Sequence, residues 1–269
     1  MTIFARRIQV VAVTAMLIVC VVMLAAEWTH AKGRIEQHHS YLEASVTQLG
    51  DRVAPPPLLN AVVEADRRVF RATRSLQGTA RWEQAVRDVD QSAPSLLKAF
   101  SCPSGLNLTA ERAPHLAALL DVAGADGAEV SSRAKTRFRR ARPYILDQGP
   151  TCAATQSLRD LHDYPSGHSS RGWTWALILA KMLPARREHL LARANAYAES
   201  RVICGFHSPT GAGAGRAVAA LTVNSLMRNR HFRADLQRAA KELAALKLQR
   251  QVPPARQCQS EALSLARVY

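Results

Sequence analysis

Residues 165–184 read PSGHSSRGWTWALILAKMLP, and the second half of this stretch decides the fold. From Trp173 to Leu183 the chain is apolar almost all round, and Pro184 ends the run. A segment this short cannot cross a bilayer, so a helix apolar on every side has to be enclosed by other helices at the centre of a domain. Working outward, Leu116, Leu119, Leu120 and Ala123 recur at three- and four-residue spacings, as do Leu58, Leu59, Val62, Val63, Val69 and Phe70 further upstream. Downstream, Leu236, Ala239, Ala240, Leu243 and Leu246 give an amphipathic helix with Lys and Arg on its outer face. No run of alternating strands and no internal repeat stands against these helices. The expected fold is all-α, one compact multi-helix domain over residues 58–250.

Composition narrows the class. At 48% hydrophobic and 21% charged residues over 269 positions, the chain has enough apolar material for a real core, which excludes disorder, a collagen and a coiled coil. Its 36 Lys and Arg against 21 Asp and Glu leave a net charge of +15, pointing to an anionic partner: a phosphate ester, nucleic acid or an acidic membrane surface. No second apolar stretch is long enough to span a membrane, so a polytopic membrane protein is excluded as well.

The N-terminus is of another kind. Arg6 and Arg7 precede an apolar run from Val10 to Ala26 broken only by Thr14, with small residues at Ala25, Ala26 and Ala31. Residues 1–31 read as an export signal, cleaved by preference, with retention as an N-terminal anchor the alternative. Cleavage removes Cys20 and leaves Cys102, Cys152, Cys204 and Cys258, an even set suited to an oxidising compartment. Four cysteines allow three pairings, and buried free thiols are the alternative; their spacing is too scattered for zinc. Residues 32–57 read as a loose segment ending at Pro55, Pro56 and Pro57, and residues 251–269 as a C-terminal tail.

Three clusters carry chemistry. Lys135 and Arg142 are seven residues apart, nearly two helical turns, which predicts both cations on one face with Arg142 near the helix end before Pro143. Their neighbours Arg137, Arg139 and Arg140 read as a solvated basic face. Next, Pro165, Ser166, Gly167 and His168 enter the central helix: Gly167 permits a close turn, and the helix amides, the Ser166 hydroxyl and the His168 ring can together hold an anion. Last come Ser200, Arg201 and, six residues on, His207.

In this order and spacing, the three clusters resemble the signature of the type 2 phosphatidic acid phosphatase superfamily. More narrowly, Tyr164 to His168 and Ser200 to His207 (SRVICGFH) are similar to the bacterial class A non-specific acid phosphatases. The likeness covers about three quarters of the chain, including Trp82 and Gly172-Trp173. It implies a helical domain of the acid phosphatase and vanadium haloperoxidase type. Lys135, Arg142, Arg201 and the turn of Ser166, Gly167 and His168 would surround a phosphate, His207 would attack phosphorus, and His168 would protonate the leaving oxygen. The scheme requires no metal or other cofactor. Three cations complement the equatorial oxygens of an in-line transfer, and two histidines supply the nucleophile and the acid. Because His168 must carry a proton, activity is expected to peak in mildly acidic solution.

One position departs from the pattern. Where the family has an aspartate four residues after the nucleophile, this chain has Gly211; Gly213 replaces a frequent second acid. Another carboxylate, Asp163 or Glu199, can substitute; a backbone carbonyl or water can orient the ring in a slow enzyme; or turnover is lost and an anion-binding envelope protein remains. The spacing of Gly211, Gly213 and Gly215 lacks the strand and the acid of a nucleotide loop. The expected partners are small phosphomonoesters in the periplasm and not nucleic acid, with membrane contact only through an uncleaved N-terminal segment. The resemblance also implies a homo-oligomer through helical faces.

Overall fold

The structure, a computed structural model, describes residues 39–155 and 162–265; the export signal read at residues 1–31 lies outside the described residues. In chain order the helices are α1 (Val46–Asp51), α2 (Asn60–Thr73), α3 (Ala80–Arg87), α4 (Ala93–Ser104), α5 (Pro114–Phe138), α6 (Pro143–Leu146), α7 (Gly167–Met182), α8 (Arg187–Ile203), α9 (Pro209–Leu226), α10 (Arg230–Leu248) and α11 (Ala255–Leu265). Short 3-10 turns at Arg74–Leu76 and Pro184–Arg186 lead out of α2 and into α8, and there is no strand among the described residues.

Helix α7 is the central element that its all-round apolar sequence requires. It packs against α5, α8 and α9, while α1 and α10 lie on α5, and α3 and α4 on α8. Trp175, Ile178 and Leu179 are fully buried, and the Trp175 ring stacks on Phe100 with centroids 6.3 Å apart. Two glycines allow α7 its close neighbours. A Cβ on Gly172 would fall 2.5 Å from Tyr197 Cδ1 on α8, and one on Gly215 of α9 would fall 2.5 Å from Ser169 Cβ. Both distances are below any real contact, so larger residues would push the helices apart.

Hydroxyl and amide caps begin several helices. Thr79 accepts from the Trp82 amide, Ser166 from Ser169, Ser208 from Gly211 and Asn229 from Phe232. Each such cap satisfies an amide the helix itself leaves open, worth about 1 kcal/mol. Two disulfides, Cys102–Cys258 and Cys152–Cys204, resolve the pairing that the sequence left open.

The chain folds beyond the domain limits read from sequence. Tyr41, Leu42, Val46, Leu49 and Val53, in the segment read as loose, are all buried in the main core. At about 1.5–3 kcal/mol for each buried large apolar side chain, this segment is part of the fold. Residues read as a C-terminal tail contain α11, which the Cys102–Cys258 bridge ties to α4. Conversely, Leu58 and Leu59 are 81% and 71% exposed, because α2 begins after them and buries Asp66, Phe70 and Thr73 instead.

Candidate active site

The first cluster is arranged differently from the one-face helix expected. Helix α5 stops at Phe138, and Arg139, at φ 50°, turns the chain out of the helix. Lys135 remains on the last turn, whereas Arg142 stands beyond the break in extended backbone as the residue before Pro143. The break follows from the proline, which disfavours helix at the residue before it. The turn, and not helical periodicity, brings the two cations near each other: burial, and after it the charges of Arg142 and Arg201, lowers Lys135 to about 8.

Arg201 and His207 are joined through a tight turn that follows α8. The amides of Phe206 and His207 both donate to the Arg201 carbonyl, at 3.1 and 3.2 Å, with Gly205 at φ 74° between the elements. The Arg201 guanidinium lies 4.8 Å from the Phe206 ring centroid. Its Nε and Nη1 are buried and have no hydrogen-bond partner among the described residues, although the residue is only 3% exposed. Burial lowers its pKa to about 10. A guanidinium kept dry without a carboxylate on these nitrogens has donors that an anion can meet, since an unmet charged donor is costly.

His207 is 2% exposed and held from both sides. Its Nδ1 lies 2.6 Å from the Asp163 carbonyl oxygen and 3.1 Å from Asp163 Oδ1, both acceptors, so Nδ1 carries the hydrogen. The lone pair is then on Nε2, which lies 3.3 Å from Arg142 Nη1. That same Arg142 nitrogen donates to the Phe206 carbonyl at 2.7 Å, fixing guanidinium and ring together. Burial and the Arg142 charge keep the ring neutral far below the ordinary histidine range.

His168 begins α7 and is half-buried. Its Nε2 donates to the Val89 carbonyl at 2.9 Å, because a carbonyl can only accept, and the ring stacks on Tyr197. The neutral ring therefore has its lone pair on Nδ1. Burial and the charge of Arg201 push its pKa well below 6.5. At the same helix start the Ser166 hydroxyl caps Ser169, and the Ser166 amide donates to the Gly211 carbonyl at 2.9 Å, so the N-termini of α7 and α9 meet here. Two such termini add positive potential to the three cations.

Asp163, 1% exposed, receives more than the His207 ring. Its Oδ1 accepts the Ser208 amide at 2.9 Å, and its Oδ2 accepts the Ser208 hydroxyl at 2.8 Å and pairs with Arg140 at 2.6 Å. Burial works against the charge, but these partners hold the carboxyl well below the usual carboxylate range. Arg140 also faces Asp66 at 3.7 Å and Tyr164, so it is no member of a solvated face. Glu199, the other candidate carboxylate, pairs instead with Arg81 and Asn195. Ser200 likewise turns away, donating to Asp88 at 2.7 Å.

The structure thus brings together Lys135, Arg142, Ser166, Gly167, His168, Arg201 and His207, and adds Arg140, Asp163 and the Val89 carbonyl. Gly211 starts α9 directly against Asp163, and Gly213 faces open space. The only signal in the sequence for Asp163 is its place two residues before Pro165. Nothing there marks Val89, whose contact is made through main chain.

Comparison with known proteins places the chain in a family. Residues 116–235 match the PAP2 superfamily. The chain is 34% identical to an acid phosphatase of Zymomonas mobilis over 78% of its length and 80% of that protein. It is also 34% identical to a non-specific acid phosphatase of Providencia stuartii, over 72% of this chain and 79% of the other. A non-specific acid phosphatase of Salmonella typhimurium is 29% identical over 82% of this chain and 89% of its own.

Proposed function

Because the chain belongs to the PAP2 superfamily and, within it, to the bacterial non-specific acid phosphatases, it is a phosphoric monoester hydrolase, and we propose that it works through a phosphohistidine on His207. The observation that carries this reading is the neutral His207 ring, whose Nε2 holds a lone pair beside the Arg142 guanidinium, together with Arg201, whose buried Nε and Nη1 have no hydrogen-bond partner among the described residues. A nucleophile and an anion receptor in one pocket suit a phosphoryl group and little else.

In the proposed sequence, Lys135, Arg142, Arg201 and the amides at the start of α7 hold the phosphoryl oxygens. Nε2 of His207 attacks phosphorus in line, and the bond to the leaving oxygen breaks as that oxygen takes a proton from His168. Water then attacks the phosphohistidine, giving a proton to His168 while the P–N bond breaks, and inorganic phosphate departs. Small phosphomonoesters are the substrates.

Export to the periplasm accompanies this reading. It is supported by Arg6, Arg7 and the apolar run that follows, and by the pairing of all four cysteines outside that segment. Osmotic shock should release the protein with a new N-terminus near Ala31.

The test is hydrolysis of p-nitrophenyl phosphate by the purified chain, with quenching in alkaline denaturant on phosphorus-labelled substrate. The parent turns over and yields an acid-labile, alkali-stable phosphoprotein, and His207→Ala yields neither. An active His207→Ala variant rejects the mechanism. A parent that binds phosphate without turnover supports instead the anion-binding envelope protein.

A further inference from the structure

A histidine that attacks phosphorus becomes cationic, and the cation needs a partner on its far nitrogen. Taking His207 as that nucleophile, its Nδ1 contacts two oxygens, and both belong to Asp163. The carbonyl, at 2.6 Å, fixes which nitrogen bears hydrogen; the carboxylate oxygen, at 3.1 Å, is the group that brings charge. The position from which α9 could supply a carboxylate is closed. A Cβ on Gly211 would fall 2.8 Å from Asp163 Oδ1, 3.1 Å from its carbonyl oxygen and 3.2 Å from Ser208 Oγ. The two sites are alternatives: side chain at 163 and none at 211, or the reverse.

We infer that Asp163 is the positioning residue that orients His207 and balances its charge during attack, supplied from the turn before Pro165, with Gly211 leaving the room it occupies. Its own orientation is fixed independently of the ring. The Ser208 amide and hydroxyl and the Arg140 guanidinium hold the carboxylate, and Asp66 holds Arg140 and the Thr210 amide from behind. Arg140 is thereby a support for the nucleophile, not a phosphate ligand. An isolated carboxylate at this depth would take up a proton; one with these donors keeps its charge.

The experiment compares kcat and KM of the full chain, Asp163→Asn, Asp163→Ser and the double variant Asp163→Ser/Gly211→Asp with p-nitrophenyl phosphate, beside His207→Ala. Asparagine keeps the main-chain contact and the shape but removes the charge. The expected result is a kcat lower by about 10²- to 10⁴-fold, as when the aspartate behind a serine-protease histidine is amidated, with KM within about threefold. The double variant should regain at least about tenfold over Asp163→Ser, which a merely structural role for Asp163 would not produce. An Asp163→Asn enzyme within about threefold of the parent's kcat overturns the inference. The ring of His207 in the parent, read by long-range nitrogen–proton correlation, should carry hydrogen on Nδ1; hydrogen on Nε2 overturns it with no variant needed. If His207→Ala stays active, the phosphohistidine reading fails and takes this role with it. If His207→Ala is dead while Asp163→Asn is unimpaired, the role of Asp163 alone fails.

Discussion

The Val89 carbonyl accepts a hydrogen bond from His168 Nε2 at 2.9 Å, which leaves Nδ1 as the nitrogen that would deliver a proton in the proposed sequence. Main chain just after α3 therefore orients the proposed acid, and the direction of its proton is set before any ligand arrives.

It follows that His168→Ala should lose most activity with esters of poor leaving groups. With p-nitrophenyl phosphate, whose leaving oxygen needs little protonation, the loss should be about 10-fold; with an alkyl phosphate it should approach the 10²- to 10⁴-fold typical of a general acid. The slope of log kcat against leaving-group pKa, compared for parent and variant, checks this.

The pH profile should have two alkaline breaks. A phosphate ester loses its second proton near pH 6, and with His168 neutral in the free protein, the proton for the leaving oxygen can enter only with the substrate monoanion. The first fall in kcat/KM thus belongs to the ester and lies near pH 6. The second belongs to Lys135, lowered to about 8 by burial and its cationic neighbours. In Lys135→Arg the charge persists, so the profile should keep a slope of minus one above pH 8 where the parent steepens to minus two. Steady-state rates from pH 5 to 10 measure both.

Stability should fall in acid. His168 and His207 both have folded-state pKa values below the unfolded 6.5, so below that pH the unfolded chain binds more protons and unfolding is favoured. Each ring contributes up to about 1.4 kcal/mol per pH unit until it titrates in the folded protein. Asp163 acts in the same sense lower down, its stabilisation being present above the usual carboxylate pKa near 3.9 and lost as pH falls through its depressed folded value. Urea unfolding from pH 7 to 4 should show this decline, and added inorganic phosphate should flatten it, because a bound anion favours the charged rings.

The disulfides should separate stability from activity. Breaking either loop is expected to cost about 2–4 kcal/mol. Cys204, however, closes α8 immediately before the turn that carries His207, whereas Cys102 and Cys258 join α4 to α11. The double change Cys152→Ala/Cys204→Ala should therefore lower kcat as well as Tm, and Cys102→Ala/Cys258→Ala should lower Tm with kcat kept within about twofold.

The residues on this site that act through fixed spacing were legible in the sequence. Ser166 to His168 and Arg201 to His207 lie within single turns, so a few positions of chain determine where they face. For Lys135 and Arg142 the spacing suggests one helical face, whereas Arg139 and Pro143 break the helix and a turn joins the two residues. Asp163 and Glu199 looked equivalent beside their motifs, since which carboxylate meets His207 depends on the packing of the turn before Pro165 against the start of α9. Arg140 looked like surface because charge runs ordinarily are, and its burial depends on Asp66 and Asp163, distant in sequence. The central helix was plain from its apolar run, whereas the core role of Tyr41 to Val53 was hidden by the prolines that follow, which suggested a boundary where there is only a bend.

The last helix reaches further than its position suggests. Glu261 of α11 pairs with Arg193 at 2.8 Å, Arg193 with Asp88 at 2.6 Å, and Asp88 is the residue before the carbonyl that orients His168. Asp88 also takes the Ser200 hydroxyl, one residue before Arg201. Helix α11 is thus linked by side chains to the residues next to Val89 and Arg201, so an expression design that trims the chain after α10, or crowds α11 with an appended tag, edits the proposed active site from its far end.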